Sequence, residues 1–179
     1  MTNAIARRVA APLTALALGL CAAGPAALAP LDGARAAPPG TGLPLPRFVS
    51  LRAGEVNMRA GPGVQYPVEW VYRRQNLPLE VFAEYRAWRR VRDWRGAEGW
   101  IHQGMLSSRR TAIVAGDTGT LRAAPSNGAE PVARAEPGVV AQLLECPGGS
   151  DWCQVEVAGH RGWTRREALW GVYPREVVK

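Results

Sequence analysis

The sequence predicts an all-β chain made of two copies of one small barrel or sandwich. Three observations carry this expectation. The first is an internal repeat. Asn57-Met58-Arg59-Ala60-Gly61-Pro62 returns as Thr120-Leu121-Arg122-Ala123-Ala124-Pro125, Trp88 with Val91 returns as Trp152 with Val155, and Gly99-Trp100 returns as Gly162-Trp163. The offset is 63 at the two ends and 64 in the middle, as expected of matched cores joined by loops of slightly different length. Second, Gly and Pro punctuate the chain at short intervals, with runs rich in Val, Trp, Tyr and Leu between them. Third, no helical period persists beyond two turns.

Residues 1–36 stand apart from this pattern. Arg7 and Arg8 precede an uncharged Ala/Leu-rich run, Val9 to Ala23, and Ala34-Arg35-Ala36 offers small residues around a cleavage point before Ala37. That is the layout of a secretory signal peptide. A transmembrane anchor fits less well, because about 20 uninterrupted apolar residues are needed and Pro12, Gly19 and Pro25 break the run. A lipid anchor on Cys21 is disfavoured by Leu20, which stands where a small residue is normally found. Residues 37–46 hold four prolines and no charge, and read as an extended tether.

The first repeat is assigned to 47–110 and the second to 111–179. In the first, strands are expected at Val68–Tyr72, Leu79–Phe82, Trp88–Trp94 and Gly99–His102. In the second they are expected at Val139–Glu145, Trp152–Val157 and Gly162–Thr164. Arg95-Gly96-Ala97 and Ala158-Gly159-His160 fall between strand-like runs and read as hairpin turns. Trp88 and Val91 are three apart, as are Trp152 and Val155, so one straight strand would set them on opposite faces. Either a bulge or a partly exposed ring is implied in both copies.

Both repeats resemble the bacterial SH3 domain family. In the first repeat the resemblance rests on Val56-Asn57-Met58-Arg59-Ala60-Gly61-Pro62-Gly63, on Trp88-Arg89-Arg90-Val91 and on Glu98-Gly99-Trp100-Ile101-His102. The second repeat departs at Thr120, Ala124 and Thr164, which puts a ligand site there in more doubt than the fold. The resemblance implies two tandem SH3-like β-barrels over about residues 48–175. It also implies cell-wall or peptide ligands, or a role in positioning a catalytic neighbour. Asn57, Arg59, Gly61, Pro62, Trp88, Trp100, Arg122, Pro125, Trp152 and Trp163 are the residues expected to build the fold. Arg59 and Arg122 could each hydrogen-bond carbonyls of the adjoining loop, while Pro62, Gly61 and Gly63 suit a tight turn.

Charge divides the repeats. Residues 47–110 hold 12 Arg and 6 acidic side chains, whereas residues 111–179 hold 7 basic and 8 acidic ones. In the first repeat the arginines interleave with rings over Tyr85 to Arg95. The candidate ligand face is therefore Tyr85, Arg86, Arg89, Arg90, Arg92 and Trp94, since Arg reads carboxylates bidentately and stacks on rings. Trp94, near a hairpin tip with no counterpart in the second repeat, is the candidate exposed anchor. Trp70 and Tyr72 are expected on one strand face. Trp170 to Tyr173 are candidates for a seam between the repeats.

Cys146 and Cys153 flank a short Gly-rich loop and, in an exported chain, are expected to form a disulfide. Nothing converges as a catalytic set. The serines lack a nucleophile elbow, nothing singles out Glu84, Asp93 or Glu98 as a glycosidase pair, and His102 and His160 lack metal-motif spacing. The reading is a non-catalytic, exported binding module of the periplasm or cell envelope, with no cofactor and no metal. Its expected partner is peptidoglycan or an envelope protein, with no nucleic acid and no stable membrane span. The alternative is an envelope scaffold that binds only other proteins.

Overall fold

The computed structural model describes residues 40–116 and 119–179. The expected leader lies outside the described residues, as do residues 37–39 of the tether. Fourteen strands and two 3-10 turns follow. The first repeat contains β1 (Arg47–Leu51), β2 (Val56–Arg59), β3 (Val68–Tyr72), β4 (Pro78–Tyr85), β5 (Trp88–Arg92), β6 (Glu98–His102), the turn η1 (Gln103–Met105) and β7 (Leu106–Ser107). The second contains β8 (Thr111–Val114), β9 (Gly119–Arg122), β10 (Pro131–Ala135), β11 (Val140–Glu145), β12 (Trp152–Val157), β13 (His160–Arg165), η2 (Arg166–Ala168) and β14 (Leu169–Trp170).

The sheets repeat one topology. Strand order is β3-β2-β6-β5-β4-β1-β7 in the first and β10-β9-β13-β12-β11-β8-β14 in the second. Every pairing is antiparallel. Alternation puts Leu79, Val81, Val91 and Ile101 at 0% exposure in the first barrel. Burying each such side chain contributes about 1.5–3 kcal/mol.

The ladder refines the repeat. Arg59 pairs with Val68 and Arg122 with Pro131, so Val68 corresponds to Pro131 at the same offset of 63. The spacing of Trp88 and Val91 is also resolved. β5 runs straight, with Arg89 and Val91 buried and Trp88, Arg90 and Arg92 facing outward. The register shift lies in its partner β4, between Val81 and Ala83. Trp88 is therefore the partly exposed ring, not a core residue. Trp100 and Trp163 are likewise only half-buried.

One strand serves both cores. Ile113 of β8 packs into the first barrel's cluster, whereas its neighbours Ala112 and Val114 pack into the second. Val140 and Trp170 add to the first cluster from the second repeat. Phe48 meets the rings of Trp170 and Tyr173 at 5.1 and 4.7 Å, and the Tyr173 hydroxyl donates to Glu80 at 2.9 Å. The Thr111 hydroxyl donates to the Asn76 carbonyl at 2.8 Å. Trp170 to Tyr173 thus form a seam, and both repeats fall in one compact unit.

The Cys146–Cys153 disulfide is formed. Beside it, Cys146 bridges to Val178, so the chain's last residues run back onto the hairpin. The tether is irregular and exposed from Gly40, but it is not free. The Thr41 amide and hydroxyl both donate to Glu84.

Candidate functional site

A wide surface concavity belongs to the first repeat. It is a groove of about 750 Å³ between the β2–β3 loop and the β4–β5 turn. Pro62, Gly63, Val64, Gln65 and Tyr66 form one wall; Tyr85, Arg86, Ala87 and Trp88 form the other, with His102 at the floor.

Each wall is held by an identifiable device. Arg59 donates to the Val64 carbonyl at 3.1 Å and to the Tyr66 carbonyl at 2.7 Å, which fixes the loop from inside. Gly61 is needed there for space: a Cβ would lie 2.5 Å from the Tyr66 ring. Its φ is not positive, so close approach, not turn geometry, selects glycine. On the other wall Arg86 occupies a left-handed position, φ 51°, in a two-residue turn closed by the pair Tyr85 and Trp88. Its guanidinium lies over the Tyr85 ring at 5.6 Å. Trp88 meets His102 edge-to-face at 5.5 Å, and His102 Nδ1 accepts the Gly104 amide at 3.2 Å. The groove therefore offers aromatic surface, one cation and one imidazole.

The structure divides the six residues expected on the ligand face. Only Tyr85 and Arg86 line the groove. Arg89 points inward, 3% exposed, and its ion pair with Glu84 is made at 3.2 Å. It also donates to the Arg86 and Trp88 carbonyls and to Gln103. Strand alternation turns it inward, away from the groove and from Arg90 and Arg92. Arg90 and Arg92 face outward, over the Phe82 ring and paired with Glu98 and Glu80. Trp94 is not an exposed anchor. Asp93, 3% exposed, accepts from the Arg95 and Ala97 amides and from the Tyr72 hydroxyl, which folds the turn back and packs Trp94 on the core. Burial and this Asp93 contact push the Tyr72 hydroxyl's pKa up. Trp70 and Tyr72 share a strand face, but Tyr72 is buried and Trp70 is 47% exposed.

Glu84 is the most perturbed carboxyl near the site. Burial alone would raise its pKa. The Thr41 backbone amide, Arg47, the Thr41 hydroxyl and Arg89 outweigh burial and hold it at about 2. Glu84, Asp93 and Glu98 are thus spent on ion pairs and a turn. Among the described residues, no group of three or more His, Cys, Asp or Glu could hold a metal ion.

In the second repeat the ring that corresponds to Trp88 is covered by an arginine. Arg165 stands where His102 stands, and its guanidinium lies 4.5 Å from the centre of the Trp152 ring. Arg165 also donates to Asn127 at 3.0 Å and lies 3.7 Å from Asp151. Trp152 is left 8% exposed. Tyr66 is replaced by Ala129, whose carbonyl accepts from Arg122 at 2.8 Å as the Tyr66 carbonyl accepts from Arg59.

Two seven-stranded antiparallel barrels with this loop geometry define a tandem of SH3-like modules. The chain belongs to the bacterial SH3 domain family, whose model matches residues 52–108 and again 115–171. No curated protein sequence matches it. Among solved structures it is similar to NlpC2 from Trichomonas vaginalis, with 11% identity over 70% of this chain and 48% of that one, at a TM-score of 0.32. NlpC1 from the same organism gives 12% identity, 73% and 47% coverage, and a TM-score of 0.32. An NlpC/P60 family protein from Bacillus cereus ATCC 10987 gives 12%, 69% and 55%, and 0.31. The chain spans about half the length of these structures, and likenesses this remote carry no argument about activity.

Proposed function

We propose that this is a non-catalytic, exported binding module whose first repeat captures a peptidoglycan stem peptide or a similar extended envelope peptide. The observation that carries this reading is the contrast between the repeats. The first repeat has a groove lined by Tyr66, Tyr85, Trp88 and His102; in the second, Arg165 lies over the corresponding Trp152 ring and bonds to Asn127. Flat rings bury an extended backbone and its small side chains, and Arg86 at the rim suits a carboxylate. The disulfide fits an oxidising compartment. The carboxylates that could serve hydrolysis are already engaged in structural contacts.

The test is co-sedimentation of the purified chain with isolated peptidoglycan at low and high salt. The chain should pellet with the wall and release partly as salt rises. Trp88→Ala should weaken binding roughly tenfold or more, as loss of a central ring does. Trp94→Ala, which removes a ring outside the groove, should retain binding once shown to be folded. If Trp88→Ala binds like the parent, the groove is not the site. If the parent never pellets, the scaffold reading takes precedence.

A further inference from the structure

β3 ends its sheet, and three of its four exposed residues are apolar. Val68, Trp70 and Val71 are 41%, 47% and 39% exposed. An edge strand of this kind is a template for another strand. The equivalent edge of the second repeat is protected. The ladders align Val68 with Pro131, Trp70 with Ala133 and Val71 with Arg134. Proline removes a backbone donor, and an arginine on the edge discourages pairing. One molecule therefore carries both a blocked edge and an open one on the same fold.

The open edge is complementary to itself. Glu69 and Val71 of β3 are exposed, as is Arg73 just past the strand's end. Glu69 lies beside Arg90 and Trp100, and Arg73 lies beside Glu55. Trp70 and Tyr72 share a face, their rings 6.4 Å apart. If two copies meet antiparallel about Val71, Glu69 of each lies opposite Arg73 of the other, and Trp70 lies opposite Tyr72. The one contact that competes for Arg73 is Glu55 at 3.7 Å, a pair whose side chains are 79% and 69% exposed and which contributes little. The register shift between β2 and β3 falls at Glu69, which stands unpaired between the Val68–Arg59 and Trp70–Met58 pairs, and the ladder is regular from Trp70 through Val71 to Tyr72.

We propose that the protein self-associates as a two-fold dimer by antiparallel pairing of β3 with β3, registered by reciprocal Glu69–Arg73 contacts. The contact is isologous and the second repeat's matching edge is blocked, so association closes at two copies. A single strand pair buries little area, and the dimer belongs to the weak, concentration-dependent class.

Sedimentation velocity of the purified chain over about 1 μM to about 1 mM tests this, a range that reaches dissociation constants of weak complexes. The parent should shift from monomer to dimer across that range. Glu69→Arg and Arg73→Glu each place like charges opposite one another and should remain monomeric at concentrations where the parent is mostly dimer. Mixing the two variants restores opposite charges on both sides and should restore the dimer. Both positions are exposed, so far-UV circular dichroism should show the parental fold. A parent that stays monomeric throughout overturns the proposal. So does a dimer indifferent to the single substitutions, or a mixture that fails to pair.

Discussion

The two repeats close the same hairpin with different chemistry. Ala83 pairs with Arg90 in the first, and Glu145 with Gln154 in the second. One rung further toward the turn, the first repeat places Glu84 opposite Arg89 and the second places Cys146 beside Cys153. The surroundings correspond as well. Thr41, ahead of the first barrel, docks on Glu84; Val178, after the second, docks on Cys146. Each hairpin also rests on a buried guanidinium. In the first it is Arg89, which donates to the Arg86 and Trp88 carbonyls and to Gln103 of η1. In the second, cysteine occupies that strand position and Arg166 of η2 supplies the donors to Pro147 and Ser150. Both repeats tie this rung where a segment from outside the barrel docks on it. They do not use one kind of tie.

The largest effect tests the ionic tie. Arg89→Ala leaves Glu84 buried with only Arg47 and Thr41 for support, and should cost about 3 kcal/mol, as breaking a buried pair does. Urea unfolding with the disulfide intact measures it. The double substitution Glu84→Cys with Arg89→Cys copies the second repeat's solution onto the first. It should form a second disulfide and recover most of the loss under oxidising conditions only. A cost of Arg89→Ala below about 0.5 kcal/mol, the range of ordinary surface changes, would end the comparison.

The same rung sets an acid response. Glu84 is held at about 2 in the folded state and returns to about 4.3 on unfolding. A depressed carboxyl contributes stability above its unfolded pKa, and that contribution is lost as pH falls from there through the folded value. The parent should therefore lose stability between about pH 4.3 and pH 2, and the double-cysteine variant should lose less over that window. Urea midpoints at neutral pH and at several points down the window decide it. Equal losses in both chains would show that other groups carry the acid response.

The covalent tie comes next. Cys146→Ser with Cys153→Ser should cost about 2–3 kcal/mol on the chain-entropy account of a short loop. Peptidoglycan binding should be unchanged, since the disulfide belongs to the repeat in which Arg165 lies over the Trp152 ring. Loss of binding in this variant would mean that the two barrels act through the shared β8, where Ile113 enters one core and Ala112 and Val114 the other.

The fold was legible because the repeat, the Gly-Trp strand and the Arg of the β2–β3 loop are local patterns. Seven of the fourteen strands, β3 to β6 and β11 to β13, lie where alternation and punctuation put them. Among the others, β1, β8 and β10 show why they were less visible. Arg47, Thr111 and Pro131 open them, and short strands buried on both faces, such as Thr111–Val114, have no alternation to read. The site was less legible. Six charged and aromatic residues close in sequence look like one face, but in β5 they alternate between interior and exterior. The groove instead joins Tyr66 to Tyr85, Trp88 and His102 across the barrel. A signal for it did exist: Tyr66 and His102 are aromatic in the first repeat and stand opposite Ala129 and Arg165 in the second. Reading that difference required the correct register, which the ladder supplies.

The smallest prediction concerns that register. Gly61 in the first repeat corresponds to Ala124 in the second, and Tyr66 to Ala129. A methyl group at position 61 would lie 2.5 Å from the Tyr66 ring. Gly61→Ala should therefore destabilise the chain by about 1 kcal/mol, the low end for overpacking, and displace Tyr66 from the groove wall. In a Tyr66→Ala background the same substitution should cost almost nothing. The double-mutant cycle, read by urea unfolding and by wall binding, should show coupling near the full cost of Gly61→Ala. Additive effects would mean the ring moves aside freely, and the glycine would then say nothing about the groove. Coupling would show that Gly61 and Tyr66 act as one unit, the glycine giving the ring the space it needs to form the groove wall.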